Sequence, residues 1–227
     1  MSPPYVRQAH FEDAIVLLDL RRGEFLMLDE MAAAIWRGLT RQTATGDSLP
    51  ESLTKQFDVE QDRVSEDIRA FRQQCLADGL LVDSCTQFPV PARRPLRPVI
   101  FPTLAAWACL ADAARKLRSF GFADAYATLV ERAPDVPSVF DENQLVRAEK
   151  AFARAENFFV ARAAPNDCLP RSMALFSFLR KMGLPAEFCF GVERYSLTAH
   201  AWVECGGRVI SDADRRTSLT KLSPGVA

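Results

Sequence analysis

The stretch "PNDCLPRSMALFSFLRKMGLPAEF", residues 165–188, opens on a turn, sets a cysteine where a helix should begin, and closes on Gly-Leu-Pro. Asn166 or Asp167 is a good N-cap. Pro170 is tolerated in a first turn that needs no N–H, and Gly183 with Pro185 stops the helix. The pattern predicts a helix with Cys168 at its N-terminus, where free N–H groups and the positive end of the helix dipole favour a thiolate. A nucleophilic thiol needs a base, and one of only two histidines in the chain, His200, follows in "TAHAWVECGGRVISDAD".

That second stretch reads as a hairpin. "AEFCFGVE" (186–193) and "LTAHAWVE" (197–204) alternate as strands, and "CGG" turns the chain into "RVISD". A two-residue Gly206-Gly207 loop would pair Val203 with Ile210 and Ala201 with Asp212, putting the carboxylate on the apolar face. A three-residue loop from Cys205 would pair Val203 with Val209 and set His200 opposite Asp212. The second is expected, because it gathers Ala201, Val203 and Val209 on a core face and leaves His200 and Asp212 as neighbours. The candidate catalytic set is then Cys168 as nucleophile, His200 as proton acceptor and donor, and Asp212 holding the imidazole tautomer, with Asp214 in reserve. A lone cysteine is ordinarily a buried apolar side chain. Here the capped helix start, the histidine and the carboxylate occur together in one chain order, which favours the triad.

Composition bounds the rest. At 227 residues, 48% hydrophobic and 25% charged, the chain can bury a core as one large or two small domains. The most apolar run, "VIFPTLAAWACLA" (99–111), is shorter than the ~20 residues of a membrane span and is broken by Pro102. The N-terminus lacks a basic segment followed by an apolar run and a cleavage site, so a cytoplasmic location and no membrane partner are expected. Six cysteines, widely spaced and without a CxxC pair, argue against a disulfide framework or a metal site. No cofactor is expected.

Charge divides the chain. Residues 1–83 carry 9 Lys/Arg against 15 Asp/Glu, a net of −6, whereas residues 84–227 carry 19 against 14, a net of +5. The join, "SCTQFPVPARRPLRPVIFP" (84–102), holds five prolines and predicts an extended connector. The expected domains are therefore 1–83, a linker over 84–102, and 103–227.

The first unit opens with the strand-like runs "YVRQA", "AIVLLDL" and "GEFLMLD", the last two joined at Arg22-Gly23. Three helices follow: one capped by Asp29, a short one with a Ser48/Glu51 capping box, and a third with an Asp58/Gln61 box that ends at Gly79. Val64, Ile68, Phe71 and Cys75 share one face of the third. Three strands and three helices suggest a winged-helix-like domain. The net charge of −6 opposes nucleic-acid binding, which needs a basic footprint.

The run "VLLDLRRGEFLMLDEMAAAIWRGL" resembles the pyrroloquinoline-quinone-D type of precursor-peptide recognition domain, a likeness covering roughly residues 5–83. It implies that the leader of a ribosomally made peptide adds as a strand to a sheet edge, which is β-augmentation. Carried over, the edge strand is Glu24, Phe25, Leu26, Met27 and Leu28, and the groove helix contributes Ile68 and Phe71.

The middle of the chain reads as helices over "TLAAWACLADAARKLRSFGF", "ADAYATLVERA" and "ENQLVRAEKAFARAENFFVA", split at Gly121 and at "PDVPS". Their aromatics, Trp107, Phe152, Phe158 and Phe159, are expected in the core.

Cysteine on a helix, histidine on a strand and aspartate on the next strand resembles the transglutaminase-like, papain-related superfamily. "NDCLPRSMALFSFLRKMGLPAEFCFGV" with "AHAWVE…G…V…D" is similar in particular to the bacterial lasso-peptide leader peptidases that are fused to their recognition domain. Together the two likenesses imply an α+β fold: a small winged-helix-like domain, then a transglutaminase-like cysteine peptidase domain. They imply a peptidase that holds a precursor by its leader and cuts leader from core, freeing the core for an ATP-dependent macrolactam cyclase. The chain has no GxxxxGK[ST] loop of its own. The Cys168 backbone N–H would be one oxyanion donor; "ARAAPND" stands where papain-like enzymes keep a glutamine as the other. The alternatives are transglutaminase or amidase chemistry from the same triad, or a leader-binding scaffold with an inert thiol.

Overall fold

The computed structural model describes residues 1–40, 49–82, 95–96, 98–134, 136, 140–160, 168–194, 198–210 and 219–224. The chain divides into two compact units, Met1–Pro89 with Leu222–Ala227, and Val90–Lys221. Most of the proline-rich connector expected over 84–102 lies outside the described residues.

In the first unit β1 (Val6–His10), β2 (Ile15–Asp19) and β3 (Glu24–Leu28) form an antiparallel meander, followed by α1 (Glu30–Thr40), α2 (Leu49–Phe57) and α3 (Gln61–Ala77). The β2–β3 loop spans four residues, wider than an Arg22-Gly23 turn alone, because Asp19 organises it. Its carboxylate accepts from the Arg21 backbone N–H at 2.9 Å and from the Arg21 guanidinium at 2.8 Å, while its carbonyl accepts from the Gly23 N–H at 2.7 Å. Arg21 in turn lies 3.8 Å over the Tyr5 ring.

Val6, Ile15, Leu17 and Leu28 on the sheet, with Ala33 and Trp36 on α1 and Cys75 on α3, form one core. The Trp36 indole N–H donates to the buried Gln8 side chain at 2.9 Å. Asp29 caps α1 as its sequence predicts, accepting from the Ala32 N–H at 2.9 Å. Ser48 lies outside the described residues. The Asp58 capping box does not form: Asp58 takes φ 52° at the end of α2, and Glu60 precedes α3 with no side-chain cap. A short polar residue tolerates the left-handed conformation that ends α2, and that displaces Asp58 from the capping position. The Schellman close of α3 is present, with Leu80 N–H on Cys75 O at 2.8 Å and Gly79 N–H on Leu76 O at 3.1 Å.

An addition absent from the sequence pattern is a two-residue strand near the C-terminus, which pairs with β1 (Gln8 with Ser223, Arg7 with Pro224). The first sheet is thus ordered β3-β2-β1 and then this strand, with β3 at an edge.

The second unit begins with α4 (Pro102–Arg132), broken at Gly121 (φ 75°, ψ −175°), then α5 (Glu142–Val160) and α6 (Cys168–Lys181). Its sheet comprises β4 (Ala186–Val192), β5 (Ala199–Cys205), β6 (Arg208–Ile210) and β7 (Thr220–Lys221), in the order β6-β5-β4-β7. The strand that pairs with β1 is β8 (Ser223–Pro224). Helix α6 is central: Ser172 to Phe176, Phe178 and Leu179 are all buried, packed with Leu145, Ala148 and Phe152 of α5 and Val203, Cys205 and Ile210 of the sheet. A Schellman turn at Gly183 ends it, with Leu184 N–H on Leu179 O at 3.0 Å.

Two expectations for this unit are corrected. Trp107 and Phe158 are 42% and 83% exposed and line a groove of about 580 Å³ with Ile100, Phe101 and Leu104; Phe152 is buried as expected. Trp107 lies off the α4 stripe of Ala106, Cys109 and Ala113 that is buried, and Phe158 stands in the last turn of α5, past the buried Ala155; the Phe159 side chain lies outside the described set. The hairpin uses the two-residue Gly206-Gly207 loop, pairing Val203 with Ile210 and Cys205 with Arg208. Both glycines take positive φ, 57° and 79°, the conformation of a type I′ turn, whose twist matches that of the flanking strands. Ile210, 2% exposed, takes the core place that the longer loop would have given to Val209.

Candidate active site

Cys168 is the first residue of α6 and half-buried, whereas Cys75, Cys109, Cys189 and Cys205 are buried. None of these five is in a disulfide, and Cys85 lies outside the described residues. Burial raises the thiols of Cys75, Cys189 and Cys205 to about 11. Cys168 is therefore the accessible thiol of the described set, at the electropositive end of a helix. Pro170 sits in the first turn of α6; Asn166 and Asp167 lie outside the described residues.

Two interactions fix that first turn. Ser172, one turn beyond Cys168 and 3% exposed, donates its hydroxyl to the Ala201 carbonyl at 2.8 Å. Arg171 makes a bidentate pair with Glu156 of α5, its Nη2 3.1 Å from Oε2 and its Nε on Oε1. The Ser172 contact matters most for chemistry, because Ala201 is the chain neighbour of His200. One helical turn rises about 5.4 Å and adjacent Cα atoms are about 3.8 Å apart, so one hydrogen bond brings the Cys168 and His200 backbones to the same corner of the unit.

His200 is the second residue of β5, opposite Gly191 of β4, and 8% exposed. Alternation along β5 puts Ala201, Val203 and Cys205 on the core face and His200, Trp202 and Glu204 on the other. The Trp202 ring lies nearly parallel to the imidazole, 16° between planes and 6.4 Å between centroids. Its indole N–H donates to Glu204 Oε1 at 2.9 Å, and Lys221 Nζ donates to Glu204 Oε2 at 2.6 Å. Sequence reasoning passed over Trp202 and Glu204, although the period-two pattern of "HAWVE" already put both on the histidine face. Asp212 and Asp214 lie outside the described residues, and the described pairing of Val203 with Ile210 is not the register from which Asp212 is expected opposite His200.

Donor atoms of Glu187, Cys189 and Glu204 lie within 4.8 Å of one another, a spacing a metal ion could use. Lys221 hydrogen-bonds both Glu204 and Cys189, so its ammonium already supplies the positive charge there.

On the first unit, Glu24, Phe25, Leu26 and Met27 are exposed along the β3 edge, Phe25, Leu26 and Met27 at 43%, 43% and 55%; Leu28 turns into the core. Ile68 and Phe71 are half-buried on α3, against the cluster of Ile35, Leu53 and Val64. No helix among the described residues is long and apolar enough to cross a membrane.

A family model described as the transglutaminase-like superfamily matches residues 107–224, more than half of the chain. One described as Coenzyme PQQ synthesis protein D (PqqD) matches residues 14–81. Among curated proteins, Microcin J25-processing protein McjB of Escherichia coli is 34% identical over 73 residues, which is 32% of this chain and 34% of that one. The match thus spans about a third of that relative. No solved structure matches. With a thiol-led helix laid against a histidine-bearing strand and a PqqD-like recognition domain ahead of it, the chain belongs to the transglutaminase-like superfamily.

Proposed function

We propose that the protein is a cysteine peptidase that binds a ribosomal precursor peptide by its leader and cuts leader from core, as a step of lasso-peptide biosynthesis in the cytoplasm. The observation that carries the reading is the Ser172–Ala201 hydrogen bond, which ties the helix start bearing the accessible thiol to the strand bearing His200. In the proposed reaction the Cys168 thiolate attacks the scissile carbonyl while His200 holds the thiol proton. That proton passes to the departing amine of the core, and the thioester left on Cys168 is hydrolysed by water. Asp212 is proposed as the imidazole's orienting partner from the family likeness and chain order, without support from the hairpin register.

The leader is proposed to add along β3. Among the described residues that strand is an edge with three exposed apolar side chains, and the backbone groups along such an edge are a template for one more strand. Ile68 and Phe71 are proposed for the helical side of the groove. A freed core N-terminus then suits an ATP-dependent macrolactam cyclase as the next partner.

The test is a full-length chain incubated with a leader–core peptide, read by product mass. Hydrolysis gives two fragments that sum to the substrate plus one water. Loss of ammonia with cross-linking would instead indicate transglutaminase chemistry, and intact peptide held in a stable complex a scaffold.

A further inference from the structure

We propose that Trp202 and Glu204 form a buried brace that holds the His200 imidazole, making both positioning residues for its proton transfers. The inference rests on the reading of His200 as catalytic base and deepens it. His200, Trp202 and Glu204 occupy successive positions on one face of β5 and are 8%, 1% and 5% exposed. The indole is fixed at both ends. Its N–H is held by Glu204 Oε1 at 2.9 Å, and its far edge lies over Gly191, where an added Cβ would come within 2.7 Å of Cζ3 and 2.8 Å of Cη2. Gly191 is the residue paired with His200, so only glycine there lets the indole lie across the strand beside the imidazole.

A wall of this kind has a specific consequence. Rotation of a histidine ring about Cβ–Cγ is a broad, roughly two-fold torsion, so the strand alone does not set its tilt. A flat indole 16° from parallel restricts that tilt. A base that must take a proton from a thiol and return it to an amine loses rate steeply when misaimed. The brace is itself expensive in stability terms. A buried carboxylate needs a counter-charge, supplied at 2.6 Å by Lys221, whose side chain is 37% exposed, and the desolvation of the carboxylate offsets much of what that pairing contributes. Retaining it makes sense where a ring must be held in one place.

The test compares Trp202→Phe, Glu204→Gln, Glu204→Leu and His200→Ala in the full chain, reading kcat and KM on a leader–core peptide, Tm, and the imidazole proton resonances. With two histidines in the chain, a His10→Gln variant assigns those signals. Glu204→Gln keeps an oxygen for the indole N–H but loses the charge opposite Lys221. It should lower Tm and lower kcat by less than Glu204→Leu does. Trp202→Phe should lower kcat about tenfold or more at unchanged KM and shift the His200 resonance. Glu204→Leu cuts the anchor without touching the ring, should act the same way, and decides the matter if Trp202→Phe does not fold. A folded variant of either kind with wild-type kcat and an unmoved His200 resonance would overturn the brace. Full activity in His200→Ala would instead overturn the underlying reading of the base.

Discussion

The Ser172 hydroxyl donates to the Ala201 carbonyl at 2.8 Å, joining α6, one turn beyond Cys168, to β5 at the residue beside His200. Among the described residues β6 pairs with β5 from Cys205 to Val203. Ala201 pairs with Phe190 of β4, and its carbonyl also accepts from a helix side chain.

Ser172→Ala removes the donor from a buried carbonyl, so it should cost about 1–3 kcal/mol. A loss of that size lowers Tm by several degrees in thermal denaturation. Turnover should fall with it, because the helix start is no longer pinned to the strand that bears His200. Unchanged Tm and kcat would show that the contact has no such role.

The Gly206-Gly207 turn yields an asymmetric prediction. Alanine at either position meets the left-handed penalty of about 1–2 kcal/mol, but at Gly206 the new Cβ would also lie 2.7 Å from Phe140 Cε1, whereas at Gly207 nothing lies within 4 Å. Gly206→Ala should therefore destabilise more than Gly207→Ala in urea titrations. Equal costs would argue against the two-residue turn.

Thiol reactivity should follow burial. At neutral pH iodoacetamide should modify Cys168 first, and Cys75, Cys189 and Cys205, held at about 11 by burial, only on unfolding. Peptide mapping that finds any of those three modified ahead of Cys168 in the folded chain would contradict the assignment of the accessible thiol.

Acid should loosen the first unit through Asp19. Burial alone would raise this carboxyl, but the hydrogen bonds from the Arg21 side chain and backbone outweigh it and hold the group below its ordinary 3.8. A carboxyl depressed in the folded state contributes stability that is complete above its unfolded value and is lost as pH falls through its folded value. Asp19→Asn should therefore lower stability at pH 7 and flatten the decline measured by urea unfolding below about pH 4. Parallel acid limbs for variant and wild type would contradict this.

Much of this architecture was legible in the sequence, for identifiable reasons. Cys168 at a helix start followed from Pro170 and Gly183, local signals that act within one or two turns. The strands on either side of His200 followed from alternation. Asp58 and the hairpin register misled because each had two locally reasonable solutions, and tertiary packing chose between them. Ile210 rather than Val209 fits the core beneath α6, and a left-handed residue was needed at the end of α2 more than a cap for α3. Three features could not be read locally: the pairing of Ser223 with Gln8, the Ser172–Ala201 bond, and the exposure of Trp107 and Phe158. Each depends on contacts between residues far apart in the chain or on where a buried layer ends.

The central claim is that Cys168 performs the cleavage while β3 holds the leader. Its most direct test is the rate of free-leader appearance, followed by mass spectrometry, for wild type and Cys168→Ala acting on the same precursor, with leader affinity measured alongside. The account predicts that Cys168→Ala loses cleavage by at least about a thousandfold and binds the leader as tightly as wild type. Cleavage by Cys168→Ala at the wild-type rate would contradict it.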